Sequence, residues 1–270
     1  MSQQAQDSAL VEKVWRMYLT MGEFEKERRQ RAFFRLLPGY PRCKNCYAPF
    51  AGPGSLVVRS IYGKMPSVMN PQLCNACEKF ARAYQGGAEI ELSMLFVDVR
   101  NSTTLAEKMT PTEFSGLINR FYVTASRVMV RTDALIDKII GDQAAGMYVP
   151  GFAGPDHASA AIRAARHIMK ASGHASPDGP WIGLGAGVHT GTAFVGAVGS
   201  PDGTTDITVL GDAANVAARL ASTAGRGEIL VSESAAHACG LPSKALERRE
   251  LSLKGKTAKV AAYVVKDYDQ

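Results

Sequence analysis

The run Leu92-Ser-Met-Leu-Phe-Val97, closed at once by Asp98, constrains this chain more than any other segment. It reads as a buried strand that ends on a carboxylate. Forty-four residues later a second carboxylate, Asp142, stands in the turn Ile140-Gly-Asp142 of an expected hairpin. A strand end and a hairpin tip can bring two hard oxygen ligands together where a divalent cation meets a phosphate. Asp is common at both places for structural reasons alone, since it satisfies stray backbone donors, so the weight falls on the surroundings. Asp98 opens Asp98-Val-Arg-Asn-Ser-Thr103, in which small polar residues lead into a helix whose exposed N–H groups suit phosphate. Asp142 follows Lys138 by four residues, and strand alternation puts 138, 140 and 142 on one face if the strand stays regular.

Further on, Thr208-Val-Leu-Gly-Asp-Ala-Ala-Asn215-Val-Ala-Ala-Arg219 reads as a strand end, a glycine turn and a helix. Asn215 and Arg219, at i and i+4, project from one helical face. An amide beside a planar five-donor guanidinium suits a transferring phosphoryl group.

Phe96-Val-Asp-Val-Arg-Asn-Ser-Thr103, Lys138-Ile-Ile-Gly-Asp142, Gly187-Val-His-Thr-Gly191 and the 208–220 segment occur in the order and spacing of the class III nucleotide cyclase catalytic domain, which residues 90 to 266 resemble. The resemblance implies that Asp98 and Asp142, with the backbone carbonyl of Val99, hold two Mg²⁺ or Mn²⁺ ions per active site. It implies that Lys138 and Thr208 read adenine, that Asn215 orients the ribose and that Arg219 stabilises the transition state. Lys254 resembles the lysine that grips the terminal phosphates, with Lys256 the competing assignment. Asn101 and Ser102, beside Thr103, replace a Gly-Phe pair frequent in the family, and Ala213-Ala214 replaces Thr-Val, so the phosphate loop and helix start differ in detail. Guanylate cyclases of the family carry Glu and Cys where this chain has Lys138 and Thr208, which favours ATP over GTP or a pyrimidine triphosphate. Since the family builds each site from two protomers and this chain carries both halves, a head-to-tail homodimer with two equivalent sites is implied. A nucleotide-binding pseudoenzyme is expected to lack one of these groups, and none is missing.

The fold expected is α/β (α+β): a ferredoxin-like βαββαβ core. The expected elements are a strand at 92–99, a helix at 111–131, a hairpin at 134–149, a helix at 156–172, two strands in 181–199, a helix at 212–222 and short strands near 228–232, 246–253 and 259–266. The two longer helices rest on i, i+3, i+4, i+7 apolar spacing, as in Phe114, Leu117, Ile118, Phe121, Ala125 and Met129. The uncharged stretch Trp181–Pro201 has the length of a membrane span, but its glycines and His-Thr-Gly sequence read as a hairpin. With 46% apolar and 21% charged residues and no secretory leader, a cytoplasmic enzyme is expected, with attachment to a membrane surface left open.

Charge is uneven. Residues 1–87 hold 13 Lys/Arg against 6 Asp/Glu, while residues 88–270 hold 18 against 19. Phe24 to Leu37 reads as a basic amphipathic helix ended by Pro38-Gly-Tyr-Pro41, and Leu10, Val14, Met17, Met21 and Phe24 upstream form the stripe of a helix-pairing seam. The basic helix is a solvated face, or it meets an anionic membrane surface or an acidic protein; a nucleic-acid role leaves the catalytic motifs unexplained. Next come Cys43-Lys-Asn-Cys46 and, 27 residues on, Cys74-Asn-Ala-Cys77. Paired Cys-x-x-Cys knuckles predict a closed tetrahedral site for one structural Zn²⁺, with redox pairs or an iron–sulfur cluster as the competing uses. The Leu56, Val57, Val58 and Ile61 cluster is too small a core to fold this segment without a metal, and Cys239 reads as a lone buried thiol. Three segments follow: 1–40 helical, 41–87 zinc-binding and 88–270 catalytic.

Overall fold

The computed structural model describes residues 3–21, 25–200, 203–252 and 259–268. In chain order the elements are helices α1 (Gln3–Arg16), α2 (Glu25–Leu36), α3 (Pro53–Tyr62) and α4 (Asn75–Ala83), strand β1 (Gly86–Val99), helices α5 (Ser102–Lys108) and α6 (Pro111–Arg131), strands β2 (Leu135–Ile140) and β3 (Gln143–Tyr148), helices α7 (Pro150–Ala153) and α8 (His157–Ala171), strands β4 (Leu184–Gly199) and β5 (Thr205–Leu210), helix α9 (Asp212–Thr223), strand β6 (Ile229–Ser232), helix α10 (Glu233–Ala238) and strands β7 (Glu247–Leu251) and β8 (Val260–Val265). A π-helical turn, Met17–Met21, continues α1. Among the described residues no helix is long and apolar enough to cross a membrane.

Two compact units divide the chain: Met1–Ile90 with Pro150–Phe152 and Phe194–Leu210, and Glu91–Val149 with Ala153–Ala193 and Gly211–Gln270. The second is organised on the strand order β2-β3-β1-β4-β6-β8-β7. The apolar run Leu92–Val97 is buried at every position, as a central strand must be. Its neighbour β3 lies antiparallel, with Phe96 opposite Ala145 and Asp98 opposite Gln143. The βαββαβ order is β1, α6, β2, β3, α8 and β4. Helix α6 starts at a capping box between Thr110 and Glu113 and buries Ile118, Phe121, Ala125 and Met129, the stripe that its spacing predicts.

One element departs from the sequence reading. Residues 184–199 form a single strand of 16 residues, and no hairpin turn occurs at His189-Thr-Gly191. The glycines serve packing instead. A Cβ on Gly187 would stand 2.4 Å from Ala221 N and 2.5 Å from Ala217 O, so its absence lets the backbone of α9 lie directly on the strand.

The first unit has a core of its own. Trp15, Leu19, Phe34, Tyr47, Val58 and Leu73 are fully buried, and the Trp15 indole donates to Tyr84 O at 2.8 Å. Phe80 packs against Trp15 and Tyr18 with ring centroids 5.2 Å apart in both pairs. The inward face of α1 is set by Trp15 and its continuation by Tyr18 and Leu19, while Leu10 is 57% exposed, as a residue of a seam between two chains is in one chain alone; Phe24 lies outside the described residues. Leu56 and Ile61 are each 69% exposed, so within the expected apolar cluster only Val58 is fully buried. Nor is α2 basic on its outer face alone. Arg31 turns inward, where its guanidinium lies 3.8 Å over the Tyr47 ring and donates to Asn45 O and the Tyr47 hydroxyl. In this unit β5 pairs antiparallel with the end of β4, Thr208 facing Gly196 and Asp206 facing Val198.

Candidate active site and a four-cysteine centre

The end of β1 and the β2–β3 turn are joined by backbone: Val99 N donates to Asp142 O at 2.9 Å. Gly141, at φ +63°, makes the tight turn that carries Asp142 to that position. Ser102, the first residue of α5, donates its hydroxyl to Asp142 Oδ2 at 2.6 Å, and Asn101 before it adopts the left-handed conformation that turns the chain from strand to helix. Burial pushes the Asp98 carboxyl up; Arg100 opposes this and the negative charge of Asp142 adds to it. Two carboxylates that repel each other across one strand end are a donor set that a divalent cation relieves, so the residues fit the Mg²⁺ or Mn²⁺ that the sequence implies.

Arg100 was not among the expected site residues, yet it is the most connected. It forms an ion pair with Asp98, and its second terminal nitrogen donates to Ser222 O at 2.7 Å and Ala224 O at 3.1 Å, at the C-terminal end of α9. A guanidinium on those carbonyls satisfies groups that have no partner inside the helix. Sequence offered only its place two residues after Asp98. Beside Asp142 opens a cleft of about 600 Å³ lined by Ser102, Thr103, Phe114, Ile118, Asn119 and Tyr122 among others. Tyr122 closes one wall by donating to Gly141 O at 2.7 Å.

The other expected residues fall elsewhere. Asn215 and Arg219 lie on the outward side of α9, with Ala213, Val216, Ala217 and Leu220 packed beneath. Among the described residues neither side chain has a hydrogen-bond partner. Asn215 is seven residues from Ser222, about 10 Å along the helix from the end that Arg100 holds. Lys138 lies on β2 opposite Ala145, just past a register shift between Ile136 and Lys138, and its side chain is outside the described residues. Thr208 is buried on β5 in the first unit. Lys254 and Lys256 are outside the described residues.

In the first unit the knuckles converge. The sulfurs of Cys43, Cys46, Cys74 and Cys77 all lie within 4.8 Å of one another, with Cys46 and Cys74 at 3.7 Å. Donors point at them: Asn45 Nδ2 to Cys77 Sγ and Cys74 N to Cys43 Sγ, each at 3.3 Å. Lys64 Nζ stands 3.8 Å from Cys46 Sγ. Burial pushes the Cys43 thiol up, while hydrogen bonds from the other three thiols hold Cys74 well below its usual range. Four clustered sulfurs with N–H donors around them fit a tetrahedral thiolate site for zinc. No disulfide joins any of the five cysteines, and Cys239 is half-buried at the end of α10 rather than enclosed.

The adenylate and guanylate cyclase catalytic domain family matches residues 87–267, and the chain belongs to it. Adenylate cyclase of Anabaena cylindrica is 30% identical over 222 residues, which cover 77% of this chain and 42% of that protein. The chain thus spans less than half the length of this relative. Among solved structures, the guanylyl cyclase Cya2 superposes with a TM-score of 0.61 at 23% identity, covering 67% of this chain and 93% of that one. The adenylyl cyclase CyaB from P. aeruginosa gives 0.57 at 25% identity, covering 66% and 95%.

Proposed function

We propose that the chain converts ATP to 3′,5′-cyclic AMP and pyrophosphate in a homodimer whose two sites each draw on both protomers. The observation that carries this reading is the division of the chemistry. Asp98 and Asp142 meet at one strand end, whereas Asn215 and Arg219 stand unpartnered among the described residues on the outer face of α9. Residues 88–270 act as the catalytic domain, 41–87 as a zinc-binding segment and 1–40 as the helical segment before it.

In this reading Asp98, Asp142 and the Val99 carbonyl hold the two Mg²⁺ or Mn²⁺ ions. When bound, these ions supply Lewis-acid activation of the ribose hydroxyl and charge neutralisation on the triphosphate. The 3′-hydroxyl releases its proton to water, and its oxygen bonds to the α-phosphorus as the bond to the pyrophosphate oxygen breaks. Asn215 from the partner subunit's copy of α9 orients the ribose, and the equivalent Arg219 offers a guanidinium to the charge that develops on the phosphoryl oxygens. Asn101, Ser102 and Thr103 line the triphosphate path, and Lys254 neutralises its end. Lys138 and Thr208 read the base. That pair, with the name adenylate cyclase borne by the Anabaena relative, favours ATP over GTP. Cys43, Cys46, Cys74 and Cys77 hold one structural Zn²⁺ per chain.

Mixing inactive Asp98→Ala with inactive Asn215→Ala tests the arrangement. One of the two sites in a mixed dimer is intact, so activity returns on mixing. A mixture that stays inactive although light scattering and mass show exchanged dimers contradicts the shared site.

A further inference from the structure

The first knuckle carries two side chains that are not sulfur ligands, and they have different tasks. Asn45 donates back to the centre, to Cys77 Sγ. Lys44 instead reaches β5. It is 5% exposed, and its amine forms a 2.5 Å ion pair with Asp206 Oδ1. An ammonium so deeply buried requires a fixed counter-charge. The segment between the two knuckles supplies a second hold on the same place: Asn70 Nδ2 donates to Asp206 Oδ1 at 3.3 Å and to Thr205 O at 3.1 Å. The two holds are themselves joined, since Lys44 N donates to Gln72 O at 3.0 Å and Cys74 N donates to Cys43 Sγ. Asp206 and Thr208 are two apart on one strand, so their side chains share a face.

We propose that the four-cysteine centre positions the base-reading strand: Zn²⁺ on Cys43, Cys46, Cys74 and Cys77 fixes Lys44 and Asn70 on Asp206, and thereby sets Thr208 for the purine. The inference rests on the reading of Thr208 as a base contact. Lys44, Asn70 and Asp206 are positioning residues, because they act through β5. The four-cysteine segment thus governs which base is accepted and how tightly. Loss of zinc weakens recognition of the base and leaves the phosphoryl chemistry at Asp98 and Asp142 in place.

The experiment uses the full chain. Zinc is removed with 1,10-phenanthroline and Mg²⁺ is supplied throughout, since Mg²⁺ prefers oxygen ligands and does not replace zinc on thiolates. Amide exchange of residues 205–210 is read by mass spectrometry, and KM and kcat are measured for ATP and GTP. Exchange in 205–210 is expected to rise by about tenfold on chelation, the mark of a locally loosened segment. KM for ATP rises by roughly fivefold while kcat stays within about twofold, the pattern of lost binding rather than lost chemistry. Lys44→Met keeps its zinc, shows the same loosening and gains little more on chelation; Asp206→Asn is the second variant should Lys44→Met fail to fold. Unchanged exchange in 205–210 after chelation, or in a zinc-loaded Lys44→Met or Asp206→Asn, overturns the proposal. So does a loosened strand whose ATP-to-GTP preference stays at the wild-type value while Thr208→Ala shifts it. If Thr208→Ala itself leaves that preference unchanged, the base-reading assignment has failed, and the exchange data still report whether zinc holds the strand.

Discussion

Glu228 is the charged hub of the second unit, and replacing it with Gln has a calculable cost. Its carboxylate takes both terminal nitrogens of Arg249, at 2.8 and 3.0 Å, the Lys266 amine at 3.1 Å and the Gly225 N–H at 2.9 Å. Its backbone carbonyl accepts from Ala186 N on β4, so the side chain anchors the turn through which β6 joins the sheet. The hydrogen bonds from Arg249, ahead of those from Gly225 and Lys266, pull the carboxyl down from 4.5 to about 2. At 1.36 kcal/mol per pH unit that displacement has a ceiling of about 3.4 kcal/mol. Arg249 is 31% and Lys266 61% exposed, and solvent screening brings the expected loss in Glu228→Gln to about 1–2 kcal/mol. A depressed carboxyl stabilises the fold fully above its unfolded value near 4.5, and the contribution is lost as pH falls through 2. At pH 3 about two fifths remains. Urea unfolding of both proteins at pH 7, 4 and 3, followed by circular dichroism, should show the gap between them narrowing with acid. A gap that is absent at pH 7, or as wide at pH 3 as at pH 7, refutes the argument.

Asp98→Ala and Asp142→Ala should each lower cyclase activity by far more than tenfold, the equivalent of about 1.4 kcal/mol in barrier. Their stabilities should differ. Asp98→Ala leaves the half-buried Arg100 without its carboxylate and costs about 1–2 kcal/mol, whereas Asp142→Ala loses one Ser102 hydrogen bond and melts closer to wild type; equal melting of the two contradicts the role given to Arg100. Elemental analysis of protein purified without added metal should give near one zinc per chain. Cys46→Ser should open the 41–87 segment to proteolysis, and a zinc-free or iron-containing preparation rejects the structural-zinc reading.

Periodicity made the second unit legible. The stripe of α6 and the burial of Leu92–Val97 follow from local spacing, and spacing survives in any tertiary setting. What local pattern could not supply was the partner of each glycine. Gly187 and Gly191 look like turn residues until α9 is seen to need the room on β4, a contact between segments some thirty residues apart. The same limit hid the core of the first unit. Trp15, Tyr18 and Phe80 meet from helices sixty residues apart, and the seam inferred from Leu10 and Val14 carries no record of that. The meeting of Asp98 and Asp142 was visible because motif and position coincide. Arg100 was not, because its importance lies in the Ser222 and Ala224 carbonyls that it reaches across the fold.

The most direct test of the account is a turnover measurement on purified protein. ATP, GTP, UTP and CTP are each supplied with Mg²⁺ or Mn²⁺, and the product is identified by mass. The expected products are 3′,5′-cyclic AMP and pyrophosphate, with ATP consumed faster than the other three. Faster turnover of GTP, UTP or CTP contradicts the assignment of Lys138 and Thr208 to adenine, and the absence of any cyclic product from dimeric, metal-loaded protein contradicts the catalytic reading itself.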